Sequence, residues 1–75
     1  MQKAFVLINS IVGLEEIVYE ELKRLACVKE VWKVYGTYDI ALKIEHASVV
    51  DLKYSVSNII RKIEGVGSTR TMMIM

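Results

Sequence analysis

An unbroken apolar run near the start of the chain, from Ala4 to Ile8 in KAFVLINSIV, is the strongest constraint on the fold. The segment is rich in β-branched and aromatic side chains, which favour a strand. Because successive side chains of a strand point to opposite faces, a strand that is apolar at every position must be covered on both faces. We therefore predict that this strand lies at the centre of a sheet.

Size and composition limit how both faces of such a sheet can be covered. The 75 residues make one domain, and a domain this small buries only about 60% of the surface that its unfolded chain exposes. Cys27 is the only cysteine and His46 the only histidine, so an internal disulfide and a four-ligand zinc site are both excluded. Since 53% of the residues are hydrophobic, we expect another subunit to cover part of the apolar surface.

The charge balance and the N-terminal segment narrow the classes of partner. Ten basic and nine acidic residues give a net charge of +1, which provides no strong attraction to a phosphate backbone. The apolar N-terminal stretch lacks the features of a signal peptide and is too short to cross a bilayer. These observations predict a cytoplasmic protein that neither binds DNA specifically nor enters a membrane.

The hydrophobic periodicity of the remaining sequence predicts the order β-α-β-β-α-β. The elements after the first strand are a helix in GLEEIVYEELKRLA, strands in VKEVWKVYG and YDIALKIEH, a helix in SVVDLKYSVSNIIRKIEGVG and a strand in STRTMMIM. The uneven valine spacing of VKEVWKVYG indicates either a bulge or a strand covered on both sides. With right-handed crossovers this order gives an α+β, ferredoxin-like sandwich, with an antiparallel sheet in the order 4-1-3-2.

Local signals predict how these elements are joined. Gly36 and Thr37 alone separate the two middle strands, which predicts a two-residue hairpin turn. Gly13 is the predicted N-cap region of the first helix, where glycine is acceptable. Ser48 is the predicted N-cap of the second helix and Gly65 its C-cap.

Two short motifs in these elements resemble a known family. Gly36-Thr37-Tyr38-Asp39 matches the family pattern G-x-Y-D, and Gly65-Val66-Gly67-Ser68-Thr69-Arg70-Thr71 matches G-V-x-x-T-x-T. Together with the βαββαβ order, they resemble the RAM domain (regulation of amino acid metabolism), the effector-binding domain of Lrp/AsnC transcription regulators. Full-length members carry a helix-turn-helix domain before this one. The first strand begins at residue 3 here, so residues 1–75 are expected to be a stand-alone RAM domain without a DNA-binding domain.

The resemblance implies an oligomeric amino-acid sensor. The sequence contains no convincing acid–base pair or phosphate-binding loop, so we expect neither an enzyme nor a cofactor or metal. Dimers would form through the open sheet faces as an α+β barrel and assemble into octamers or decamers. A free amino acid would bind between dimers, and full-length Lrp/AsnC-type regulators are possible partners. The ligand-binding residues implied are Val34, Gly36, Thr37, Tyr38, Asp39, Thr69 and Thr71.

Each of the central site residues also has a purely structural interpretation. Gly36 and Asp39 are common turn residues, and Thr69 and Thr71 suit a strand. As ligand residues, Asp39 would face the ammonium group of an amino acid, and the threonine hydroxyls its carboxylate. An acid at the end of a strand is usually exposed, so we expect Asp39 to contribute little to folding.

Other functions use the same fold and remain alternatives. RNA-binding RRM domains stack bases on sheet aromatics, but their third-strand motif is absent from YDIALKIE. A small dimeric α+β-barrel enzyme, such as a cofactor-free monooxygenase, would need polar or aromatic groups beneath the helices, for which Trp32 and His46 are the available residues. Cys27 is expected to be a buried structural thiol, and His46 a surface residue.

Overall fold

Within residues 1–74, which a computed structural model describes, four strands and two helices follow the predicted order. The elements are β1 (Gln2–Ser10), α1 (Glu15–Lys23), β2 (Val28–Lys33), β3 (Ile40–His46), α2 (Val49–Ser55) and β4 (Val66–Ile74). A π-helical segment, Val56–Ile60, continues α2. The predicted position of Met75 in the last strand lies outside the described residues. Neither helix is long and apolar enough to span a membrane in this part of the chain.

The four strands form one antiparallel sheet in the order β2-β3-β1-β4. This is the predicted order 4-1-3-2 counted from the opposite edge, and the ferredoxin-like α+β prediction is confirmed. Val6 pairs with Leu42 on one side and with Thr71 on the other, so β1 is an interior strand as its apolar run required.

One face of the sheet and the inner sides of the helices form the hydrophobic core. Its residues come from alternate positions of β1 and β3, which share one face, and from helix positions that point toward the sheet. The buried apolar residues are Ala4, Val6, Ile8, Val18, Leu22, Ile40, Leu42, Ile44, Leu52, Val56 and Ile60. Burying a side chain such as isoleucine or leucine contributes about 1.5–3 kcal/mol before the entropy of ordering the chain is subtracted.

The opposite face of the sheet has no helix over it. Phe5, Trp32 and Met72 are between a third and a half exposed there, and the rings of Phe5 and Trp32 lie 6.4 Å apart between centroids. These aromatic and thioether groups come from β1, β2 and β4 and share one face of the sheet. A single chain therefore leaves this face open to solvent.

The connection between β2 and β3 is longer than predicted, and the expected two-residue turn is wrong. β2 ends at Lys33 and β3 begins at Ile40, so residues 34–39 form a loop. Val34 N–H donates to the Asp39 carbonyl at 2.9 Å and closes the loop, while Asp39 N–H donates to the Ile8 carbonyl at 2.9 Å. Asp39 is thus bonded to β1 through its N–H and to Val34, directly after β2, through its carbonyl. The uneven valine spacing reflects a bulge between Val28 and Glu30.

The predicted helix boundaries are partly correct. Ser48 caps α2, since its hydroxyl accepts from Asp51 N–H at 3.1 Å. The N-cap of α1 is Leu14 instead of Gly13. Gly65 is not the helix C-cap, because further turns follow Ile60. It lies directly before β4 with φ +100°, where the chain enters the strand.

Replacing Gly65 by alanine is expected to destabilise the fold more than the same change at Gly13. Both glycines have positive φ, but a Cβ at Gly65 would lie 2.7 Å from the Val18 Cγ2 atom, whereas one at Gly13 would meet nothing within 4 Å. Backbone strain alone costs about 1–2 kcal/mol, and crowding of a packed core adds about 1–3 kcal/mol. Thermal denaturation followed by circular dichroism measures the difference, and equal melting temperatures for the two variants would show that Val18 yields freely.

Candidate functional site

The Asp39 carboxylate lies at the end of β1 and is part of the folded structure. Its Oδ2 atom accepts from Ser10 N–H at 3.0 Å and from the Ser10 hydroxyl at 3.1 Å. The residue is half-buried, so the expectation of an exposed acid that contributes little to folding is wrong. The reason is that β3 pairs with β1, which places Asp39 beside Ser10 at the end of β1.

The second carboxylate oxygen of Asp39 remains available. Oδ1 has no hydrogen-bond partner among residues 1–74, and the same residues contain no buried side-chain oxygen or nitrogen without a partner. Oδ1 is therefore open to a donor from outside the described chain. A carboxylate that is positioned by two hydrogen bonds and keeps one oxygen free is suited to binding a cationic group.

The loop before Asp39 brings the other predicted hairpin residues to the same end of the sheet. Val34 and Tyr38 are half-buried, whereas Gly36 and Thr37 are exposed. Gly36 has φ +125°, and a Cβ there would meet no atom within 4 Å. The backbone conformation, not crowding inside the chain, therefore requires glycine. A substitution at Gly36 would strain the loop and is a poor test of ligand contact.

Thr69 and Thr71 lie on the helix side of β4, at the edge of the sheet. They pair with Ile8 and Val6, whose side chains enter the core. Both threonines line a cleft of about 420 Å³ between β4 and α2 with its π-helical continuation. The complete lining consists of Lys53, Val56, Ser57, Arg61, Thr69, Thr71 and Met73.

The predicted site residues form two separate groups in one chain. Ile40, which follows Asp39, and Thr69 pair with opposite sides of Ile8. Two strand spacings of about 4.8 Å therefore separate their backbones, or roughly 10 Å. The structure brings residues 34–39 together at the hairpin end and brings Thr69 and Thr71 together in the cleft, but it does not join the two groups.

Several polar residues near these groups were not predicted from the sequence. Ser10 was not identified because its partner is 29 positions away. Lys53, Ser57 and Arg61 recur every four residues, and this spacing could have placed them on one stripe of the second helix. The four-residue spacing was therefore a usable sequence signal for the cleft, whereas no sequence signal marked Ser10.

His46 is not the surface residue that the sequence suggested. Its Nε2 atom lies 2.6 Å from the hydroxyl oxygen of Ser55, which is 2% exposed. This contact joins the end of β3 to α2, and the serine is too buried to meet a substrate. Trp32 lies on the open face and His46 on the helix side, so the two residues that a monooxygenase could use do not converge. Residues 1–74 contain no cluster of three potential metal ligands.

The fold is shared with several solved proteins. FFRP-DM1 is 36% identical, with a TM-score of 0.97 and full coverage of both chains. A hypothetical protein, PHS023, from Pyrococcus horikoshii is also 36% identical, with a TM-score of 0.92, and the match covers all of this chain and 90% of that one. AsnC from E. coli is 24% identical with a TM-score of 0.92, and the match covers 99% of this chain and 50% of that one. A search of curated proteins returns no match.

The family assignment rests on the sequence as well as on the fold. A ligand-binding family argues against an enzyme, in agreement with the separation of Trp32 from His46. The family model described as "Lrp/AsnC ligand binding domain" matches residues 3–75, a range that includes the hairpin end and β4. The chain belongs to the Lrp/AsnC ligand-binding domain family.

Proposed function

We propose that this domain binds a free α-amino acid at a boundary between two copies of the chain and works as an effector sensor. The observation that carries the proposal is the positioned Asp39 carboxylate, which keeps Oδ1 free beside an exposed loop. Membership of a ligand-binding family supports it. A structural relative from Neisseria meningitidis, a transcriptional regulator with 13% identity, was solved as a complex with L-Met.

Each part of an amino acid has a matching group at the two ends of this site. Asp39 Oδ1 accepts from the ammonium group. The hydroxyls of Thr69 and Thr71, with backbone N–H groups near Gly36, donate to the carboxylate. Val34 and Tyr38 offer apolar surface to the aliphatic part of the ligand, and Thr37 lies beside them in the loop.

Two copies are needed because the two groups lie far apart in one chain. The ammonium and carboxylate groups of an α-amino acid share one carbon atom, whereas roughly 10 Å separates the backbones of Ile40 and Thr69 in the sheet. A hairpin end from one copy and a cleft from another can meet the same ligand. Val12 and Tyr35, at the end of the sheet that carries the hairpin, are 92% and 105% exposed. Such apolar side chains favour an interface between copies at this end.

The open sheet face supports a second, separate contact between copies. Phe5, Trp32 and Met72 would be covered if two sheets packed face to face about 10 Å apart. This contact forms the dimeric α+β barrel. Dimers then meet through their hairpin ends, and the ring closes as an octamer or a decamer.

The regulatory output is proposed to pass through other proteins. With a net charge of +1, residues 1–75 are expected to bind duplex DNA weakly and without sequence preference. DNA contacts would come from a helix-turn-helix domain in a full-length Lrp/AsnC-type regulator that assembles with this domain in the cytoplasm. Ligand binding would alter that assembly and so modulate transcription or amino acid metabolism.

Asp39→Asn is expected to weaken amino acid binding while leaving the fold nearly intact. The asparagine carbonyl can still accept from Ser10, but the charge that faces the ligand is lost. Losing a charge-assisted hydrogen bond costs about 1.5–3 kcal/mol, or about a tenfold to hundredfold loss of affinity. Calorimetry with the twenty amino acids identifies the ligand on the parent protein, and the same titration measures the loss in the variant.

Two further variants separate ligand contact from folding. Asp39→Ala should lose affinity and also melt at a lower temperature, because both bonds to Ser10 disappear. Ser10→Ala should lose about 1 kcal/mol of stability and keep its affinity, since the carboxylate remains. If the parent and Asp39→Asn bind the same amino acid equally well, Asp39 serves only to hold Ser10.

Trp32→Glu is expected to abolish the sheet-face dimer. The parent should give a mass of at least twice 8.6 kDa by light scattering at micromolar concentration, because a single chain leaves this face uncovered. A charge buried in the contact must be desolvated and would separate the copies. Tyr54→Glu, on an aromatic residue of α2 that is 61% exposed, is the matched control and should keep the parent mass. A parent protein that scatters only as an 8.6 kDa species excludes the dimer.

A further inference from the structure

The cleft between α2 and β4 has an uneven distribution of charge. Its lining includes two basic side chains, Lys53 and Arg61, and three hydroxyl residues, Ser57, Thr69 and Thr71, but no acidic residue. The remaining lining residues, Val56 and Met73, are apolar. A cleft of about 420 Å³ falls in the size range of small-molecule sites.

The two basic side chains of the cleft are not neutralised within residues 1–74. The ion pairs within residues 1–74 join Lys23 to Glu20, Arg24 to Glu21 and Lys33 to Glu16. All of them lie at α1 and β2, away from the cleft. Lys53 and Arg61 take part in none of them. In a chain whose net charge is only +1, this leaves a local concentration of positive charge that attracts anions.

The π-helical segment explains why these residues reach one cleft. In an α-helix, each step of four residues overshoots a full turn by about 40°, so Lys53, Ser57 and Arg61 would drift around the axis. Arg61 N–H donates to the carbonyl of Val56 at 3.0 Å, an i to i+5 bond. This wider turn takes more residues per rotation and offsets the drift between Ser57 and Arg61. Single π turns of this kind are frequent at functional sites.

We propose that this cleft binds a carboxylate and makes an acidic amino acid the preferred ligand. The inference rests on the proposed function, because it takes Thr69 and Thr71 as part of the amino acid site. Lys53 and Arg61 contribute two positive charges and Asp39 one negative charge, which leaves a surplus of one positive charge. An α-amino acid with a neutral side chain has no net charge and leaves this surplus, whereas an acidic one neutralises it.

The side chains of the cleft suit this ligand. Arg61 can hold one carboxylate through two parallel hydrogen bonds, and Lys53 supplies a mobile point charge. The hydroxyls of Ser57, Thr69 and Thr71 donate to the remaining oxygen lone pairs. A basic ligand side chain in the cleft would face Lys53 and Arg61, and the lining contains no acidic residue to pair with it. The cleft therefore selects against a basic ligand.

Calorimetry on the full chain at low salt tests the proposal with matched ligands. L-glutamate and L-aspartate are compared with L-glutamine and L-asparagine, which have the same shape without the second charge. Glutarate, which lacks the amino group, and inorganic phosphate complete the set. We expect the acidic amino acids to bind at least about tenfold more tightly than their amides, as the loss of one charge-assisted hydrogen bond requires. Their affinity should fall as salt is added.

Substitutions then assign the effect to the cleft. Lys53→Gln and Arg61→Gln should each reduce L-glutamate affinity by about tenfold to hundredfold without lowering the melting temperature, since both side chains are exposed. Lys62→Gln removes the same charge from an exposed neighbour that does not line the cleft. It should leave the affinity at the parent value.

The outcomes separate this inference from the proposed function. Tight binding of a neutral or basic amino acid, unaffected by Lys53→Gln and Arg61→Gln, overturns the acidic preference and leaves the amino acid sensor intact. Glutarate binding as strong as L-glutamate retains the carboxylate cleft but overturns recognition of the amino group. Stronger binding of phosphate than of any carboxylate, or no binding in the whole set, overturns both the preference and the cleft as a carboxylate site.

Discussion

Two short helices can cover only one face of a four-stranded sheet. This constraint determines which apolar side chains form the core and which remain exposed. α1 spans nine residues and α2 with its π-helical continuation spans twelve, and both lie on the same side of the sheet. Ala4, Val6 and Ile8 enter the core on that side, while Phe5 and Leu7 alternate with them on the other. Because β1 is apolar at consecutive positions, the same strand supplies core residues on one face and apolar surface on the face that the helices leave uncovered.

The hairpin end holds the Asp39 carboxylate through one of its two oxygens. Asp39 donates its backbone N–H to Ile8 and accepts from Ser10 through Oδ2, which extends the contact of β3 with β1 beyond the regular ladder. The last residue of the loop is therefore bonded both to β1 and to Val34, directly after β2. Oδ1 stays free because the two bonds to Ser10 share one oxygen. A carboxylate fixed in this way needs no reorganisation to meet a cation, which favours binding.

The sequence was sufficient to predict the features that depend on the spacing of apolar residues and on the right-handedness of the crossover connections. The apolar run of β1 placed it inside the sheet, Ser48 marked the start of α2, and right-handed crossovers left one sheet order. The length of the hairpin loop was not predictable, because it depends on hydrogen bonds from Asp39 to a strand about 30 positions earlier. The contact between His46 and Ser55 has no local signature for the same reason.

The candidate site was predictable only in part. The motifs identified Asp39, Thr69 and Thr71 through a resemblance, and their role as ligand contacts stays a prediction. Nothing in the motifs indicated that the two groups lie on opposite sides of Ile8. The four-residue spacing of Lys53, Ser57 and Arg61 was present in the sequence. The π turn between Ser57 and Arg61 was not predictable, because it differs from an α turn by a single residue per hydrogen bond.

The separation of the two groups has a thermodynamic consequence for the proposed sensor. If one copy supplies Asp39 and another supplies the cleft, the ligand binds the assembled pair and not the separate chains. Any ligand that binds only the assembly stabilises it by mass action, and the assembly raises ligand affinity by the same factor. The apolar residues at the hairpin end then need to provide only a weak contact, since a strong one would keep the ring closed without ligand. In the proposed sensor, a marginal interface with two incomplete half-sites would make the size of the assembly depend on the concentration of an amino acid.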